Sequence, residues 1–182
     1  MMKSKTLAIL DSIISESTLS LFSEYGIEIF PIASIPASHE HTFATSIGFA
    51  NPILPGILAM TMDRDLVVQS RPAELRAKPP SEKDLDDWVG ELCNQLLGRI
   101  KNQLLPHSIA LRANLPSTAR GHSLRRALLG ASISLRMSFL TGSSSVCVYF
   151  DAKTPKSLDL KTLPAKSGTA TEGQLILFDD SE

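Results

Sequence analysis

Charge of one sign is missing from this chain. Its 18 lysines and arginines nearly cancel 19 aspartates and glutamates over 182 residues, leaving a formal net charge of −1 at pH 7. No basic cluster exceeds Arg125-Arg126, which argues against a nucleic-acid footprint. Cysteine is scarce. Cys93 and Cys147 stand alone and are predicted to be small core residues of a cytoplasmic protein rather than a disulfide or a reactive thiol. Long apolar runs are lacking as well. Thr6-Leu7-Ala8-Ile9-Leu10 is broken at once by Asp11, too soon for a signal-peptide core, and no stretch approaches the length of a membrane span. A Gly-x-Ser-x-Gly elbow is absent, and so is a phosphate-cradling glycine loop of Walker or dinucleotide type.

What the chain does have is one strong amphipathic helix, predicted over Asp84–Leu105. Leu85, Trp88, Val89, Leu92, Leu96, Ile100 and Leu104 recur at helical spacing and make an apolar stripe. At about 100° per residue, Asp87, Glu91, Asn94 and Gly98 fall within an arc of roughly 60° on the other side. A solvated helix face is the ordinary meaning of such residues, but two of them fit it poorly. Asn competes for the helix backbone with its own side chain. Gly costs about 1 kcal/mol relative to Ala in a helix interior. Core packing calls for neither on a polar face, and a glycine there lets another surface come close to the backbone.

The rest of the chain reads as two similar halves, the size of a single domain. A first helix, Thr6–Tyr25, has Gly26 as its stop. Strands are predicted over Glu28–Ile35, Thr42–Phe49 and Gly56–Asp63, then a short helix over Arg64–Ser70. After a polar linker, Ser81 or Asp84 caps the second long helix. Strands over Ser108–Pro116, Leu124–Leu140 and Ser144–Phe150 complete the second half. Helix-then-antiparallel-strands, twice, predicts an α+β fold with an internal duplication around one sheet. The first helix carries Ser12, Glu16 and Leu19 in the register of Asp87, Glu91 and Asn94. Leu19 therefore stands where the second helix has its amide, and it is expected to point outward. The domain is predicted to span residues 1–152. Residues 153–182, rich in Lys, Ser, Thr, Pro and Gly, are expected to form a flexible tail that carries the apolar island Gln174–Phe178. His39-Glu40-His41 is the one arrangement suggesting a metal, but it lacks a clear third ligand.

Asp87-x-x-x-Glu91-x-x-Asn94, followed by Pro116, resembles the active-site signature of the CheC/CheX/FliY phosphatases of bacterial chemotaxis. Leu96 to Lys101 resembles the family's helix after the Asn, and Leu115-Pro116-Ser117-Thr118 resembles the end of the strand that follows. The gap from Asn94 to Pro116 holds 21 residues, one fewer than the family signature has. The resemblance implies a CheX-like, single-site phosphatase in two-component signalling, acting on the aspartyl phosphate of a CheY-type response regulator. It implies that Asn94 orients the attacking water and that Glu91 docks on the regulator. Asp87, Gly98 and Pro116 would line the contact. This chain would hold no cofactor, the Mg²⁺ coming with the phosphorylated partner. A homodimer is compatible with the resemblance. The alternative is a catalytically silent adaptor of the same fold that binds a regulator or a flagellar-switch component.

Overall fold

The computed structural model describes residues 4–35, 41–76, 78–120, 131–142, 144–154, 158 and 160. Helix α1, Ser4–Glu24, buries Leu10, Ile13, Ile14, Leu21 and Phe22. It stops where Gly26 adopts a φ of 71°. There the Ile27 N–H reaches back to Phe22 O at 3.0 Å and the Gly26 N–H to Ser23 O at 3.0 Å. A glycine takes this left-handed conformation without a Cβ penalty. Strands β1 (Phe30–Ile32), β2 (Phe43–Ala50) and β3 (Gly56–Met62) follow, then the short helix α2 (Arg64–Gln69) and a single 3₁₀ turn at Ala73–Leu75.

The second long helix, α3, spans Glu82–Leu104. Both candidate caps serve its N-terminus. Ser81 Oγ accepts from the Asp84 N–H at 3.2 Å, and the Asp84 carboxylate accepts from the Ser81 N–H at 2.8 Å. This reciprocal box satisfies two of the helix's orphan donors. A 3₁₀ turn at Leu105–His107 leads to β4 (Arg112–Arg120), and β5 (Ile133–Thr141) and β6 (Ser144–Ala152) complete the sheet.

The six strands form one antiparallel sheet in the order β1-β5-β6-β3-β2-β4. Exchanging β1 with β4, β2 with β5 and β3 with β6 maps that order onto itself. The predicted duplication is thus carried by the topology, with the pseudo-twofold passing between β3 and β6. The two long helices lie side by side and antiparallel. Tyr25 meets Gln95, Ser20 and Glu24 meet Arg99, and Ser17 meets Gln103. The core lies between these helices and one face of the sheet, where alternate residues such as Ile47, Leu58, Met60, Val148 and Phe150 are fully buried. Phe49 stacks on Phe150 across it at 5.1 Å.

The structure departs from the sequence reading at several points. β1 has three residues rather than eight, because Pro31 within it has no N–H to give the ladder. β4 begins four residues later than expected, since the chain first turns through Ser108 at a φ of 61°. Pro116 lies inside β4, opposite Ile47, and not at a strand end. β4 is an edge strand paired to β2 alone, where a missing N–H can face away from the ladder. Its register slips by one residue between Ile47 and Phe49, which sets Asn114 and Leu115 opposite Gly48. β5 is described only from Ile133, so Leu124–Gly130 of the predicted strand lies outside the described residues. Beyond the expected domain boundary, Leu158 and Leu160 are core residues. The buried Thr6 hydroxyl donates to Leu158 O at 3.0 Å and accepts from the Leu160 N–H at 3.3 Å. Residues 161–182, including Gln174–Phe178, lie outside the described residues. Among the described residues no helix is long and apolar enough to cross a membrane.

Candidate functional site

The polar face of α3 is presented as the helical phase predicts. Leu85, Val89, Leu92, Cys93, Leu96, Leu97 and Ile100 are buried, while Asp87, Glu91 and Asn94 are exposed in a row and Gly98 is half-buried. Two elements flank this face. On the Asn94 side, Gly90 turns toward β4. A Cβ built there would lie 3.6 Å from both Pro116 and Thr118. Gly90 is about 40° from Asn94 around the helix, so Pro116 stands at the edge of the amide's surroundings.

On the other flank is α1. Gln95 Nε2 donates to the Glu91 carboxylate at 3.0 Å, and the Tyr25 hydroxyl donates to Gln95 Oε1 at 2.7 Å. Burial raises the Tyr25 phenol above its ordinary range, and the Gln95 hydrogen bond only partly opposes this. The phenol therefore stays protonated. The Glu91 carboxylate can only accept, so it takes the Gln95 NH₂ and leaves Oε1 to the phenol. The Tyr25 ring meets Trp88 edge-on at 5.3 Å, and the Trp88 indole N–H donates to Ser70 Oγ at 3.0 Å. A chain of contacts thus ties Glu91 to the end of α1 and to the end of α2. Among the described residues the Asn94 carboxamide has no hydrogen-bond partner, so both its donor and its acceptor face solvent.

Sequence reasoning missed Gln95 and Tyr25. Their signal was weak: a Gln four residues after a Glu, and an aromatic just before a helix-stopping Gly. It also missed a groove of about 670 Å³ along the same face, with Asp87, Trp88 and Glu91 on one side and Glu74, Leu75 and Lys78 on the other.

The equivalent face of α1 is arranged differently, although Ser12 and Glu16 are exposed there too. Ser12 Oγ donates to Glu16 Oε1 at 2.6 Å. Leu19 does not project outward as expected. It is half-buried and packs on the core beside a cleft of about 430 Å³ with Ile27, Ile29 and Phe30. The remaining candidates lie elsewhere. His41 bridges Thr61 and Ser145 at 2.7 and 2.9 Å, and His39 and Glu40 lie outside the described residues. Both cysteines are buried and free. Among the described residues no group of three or more His, Cys, Asp or Glu converges as a metal site.

The family described as "Chemotaxis phosphatase CheX" matches residues 43–151. No curated protein matches the chain. Among solved structures, the chain is similar to the chemotaxis protein CheX of Vibrio vulnificus (16% identity, 79% of this chain and 96% of that one, TM-score 0.69). It is similar to a CheC-like superfamily protein of Shewanella sp. PV-4 (18% identity, 80% and 97%, TM-score 0.69). A third similar structure is CheX in its complex with CheY, BeF3 and Mg from Borrelia burgdorferi (14% identity, 80% and 96%, TM-score 0.58). At these identities the structural likenesses establish the fold.

Proposed function

Because the chain belongs to the chemotaxis phosphatase CheX family, we propose that it hydrolyses the aspartyl phosphate of a CheY-type response regulator, with Asn94 and Glu91 as its working residues. The observation that carries this reading is the Asn94 carboxamide, exposed and without a partner among the described residues, beside a carboxylate on the helix that the family match spans. The CheX–CheY complex among the similar structures supports a receiver-type partner.

An acyl phosphate is already labile, and phosphoryl transfer runs through a loose in-line transition state, so positioning matters more than covalent chemistry. The regulator supplies its own Mg²⁺ and lysine. Asn94 inserts beside the phosphoryl group, accepts a hydrogen bond from the attacking water with its carbonyl oxygen and holds the water's lone pair in line with the P–O bond that breaks, releasing inorganic phosphate and the regulator's aspartate. Glu91 receives the regulator's lysine in a charge-assisted contact that keeps the amide in register. Gln95 and Tyr25 hold that carboxylate in place. Asp87 and Pro116 border the contact, and Gly98 gives the partner clearance above the helix.

The test is the rate of dephosphorylation of a phosphorylated receiver with wild type and with Asn94→Ala. Loss of turnover with binding and folding retained is the expected result, since truncating an exposed polar side chain costs little stability. Wild-type turnover in Asn94→Ala overturns the assignment. Wild-type protein that binds the regulator without hydrolysing it is the adaptor of the same fold.

A further inference from the structure

Resting on that reading, we infer that the turn joining α2 to α3 is the second wall of the regulator-docking groove, with Leu75 as its apolar contact and Lys78 and Glu74 as its charged rim. The groove runs along the stripe Asp87, Trp88 and Glu91 on α3, and Asn94 lies about one turn beyond Glu91 on the same exposed face. A receiver that places its phosphoryl group at Asn94 and its lysine at Glu91 occupies the space directly above this stripe, and so meets the facing wall.

That wall is built to hold a position. Ser70 Oγ takes the Trp88 N–H and donates to Val67 O at 3.0 Å. Arg71 is buried, and its carbonyl accepts from Arg76 Nε at 2.6 Å. The 3₁₀ turn closes through Leu75 N–H to Pro72 O at 3.0 Å. At its crest Leu75 is 51% exposed, which leaves its apolar side chain open to a surface docked over the groove. The groove also has a sign. Asp84 is occupied by Ser81 and faces Arg71, which leaves Glu74, Asp87 and Glu91 as exposed carboxylates against Lys78. The matching partner surface is one with an apolar side chain flanked by cationic ones, around a lysine that stands beside the phosphorylated aspartate. Such a pattern discriminates among regulators that share the same active site, because it reads residues outside the chemistry.

The test separates docking from chemistry. Binding of a receiver loaded with Mg²⁺ and beryllofluoride is titrated into the full-length chain, and KM and kcat are measured with the phosphorylated receiver. Leu75→Asp and Leu75→Ala should weaken binding and raise KM, on the order of tenfold for the aspartate, with kcat at saturation and the thermal midpoint unchanged. Leu75→Met should restore binding. Unchanged binding and KM in Leu75→Asp overturns the inference while leaving the phosphatase reading intact. A kcat loss with unchanged affinity also overturns it. If Asn94→Ala keeps full turnover while Leu75→Asp loses affinity, the catalytic assignment fails and the docking wall stands. If the wild-type chain binds no receiver, both fail.

Discussion

Consecutive residues on α3 meet opposite fates. Cys93 is fully buried and Asn94, about 100° further round the helix, is exposed. For the amide this is what makes chemistry with an external partner accessible. For the thiol it removes chemistry altogether. Burial pushes the Cys93 thiol up to about 12 from an ordinary 9.0, and a neutral buried thiol is a packing group. The shift has a consequence for stability. Between those values the unfolded chain ionises this thiol and the folded one does not, so the unfolded state binds fewer protons and stability falls as pH rises. The contribution is fully present below pH 9 and fades toward pH 12. By pH 10 about 1.4 kcal/mol is lost relative to pH 8. Cys93→Ala lacks this component. Urea unfolding at both pH values should show its deficit against wild type, set at pH 8 by the lost sulfur packing, shrinking by that amount at pH 10. Cys147 is common to both chains and cancels. Parallel pH dependence in the two would mean that Cys93 is solvated in the native state.

Within the elements, the glycines of α3 do different work. A Cβ at Gly90 would meet Pro116 and Thr118 at ordinary contact distance, whereas one at Gly98 would meet nothing within 4 Å. Packing therefore gives no reason for a glycine at position 98, yet the helix bears its propensity cost there. Gly98→Ala should raise stability by roughly 1 kcal/mol and also raise KM for the phosphorylated regulator, because the added methyl intrudes where the partner approaches the backbone. Thermal unfolding and steady-state kinetics on one preparation check both halves. A stabilised variant with wild-type KM would show that Gly98 is not in the contact. This helix was also the most legible element in the sequence. The apolar stripe fixed its phase, Ser81 and Asp84 marked its start, and the phase placed Asp87, Glu91 and Asn94 on one face. The alternation of β2 was as clear. β4 was harder to read, because all nine of its residues are exposed and a proline at its centre reads as a stop. Edge position and a bulge reconcile the strand with both, and neither is visible in a local window. The groove was hidden for another reason. Polar, proline-bearing residues mark a connection, but whether Leu75 folds back over α3 depends on Ser70 meeting Trp88, a tertiary contact. Leu158 and Leu160 sit in a stretch whose composition reads as solvated, and their burial in the core and their contacts with the Thr6 hydroxyl of α1 are tertiary facts that no local window shows.

Across the whole molecule a nearly symmetric frame carries an asymmetric pair of faces. The strand order maps onto itself under exchange of the two halves, and the helices carry matching positions: Ser12 with Asp87, Glu16 with Glu91, Leu19 with Asn94. The side chains have diverged in two coupled ways. The amide position holds Leu19, which can neither accept a hydrogen bond nor orient water and is instead drawn against the core. The acid beside it is engaged on its own helix, where the exposed Glu16 accepts from Ser12. Glu91 is held from the flank by Gln95, which leaves its other oxygen outward. Duplication thus supplies the scaffold twice, while on the proposed reading only the α3 face works. Glu16→Ala should accordingly leave dephosphorylation of the regulator unchanged, whereas Glu91→Ala should lower kcat/KM on the order of tenfold or more, mainly through KM, because it removes a charge-assisted docking contact rather than the water-orienting group. Both glutamates are exposed, so neither truncation should move the thermal midpoint by more than a degree or two. The two variants are compared on one phosphorylated receiver over a range of receiver concentrations. Equal losses would mean that the α1 face engages the regulator despite Leu19, and the site would then have to be drawn across both halves of the molecule.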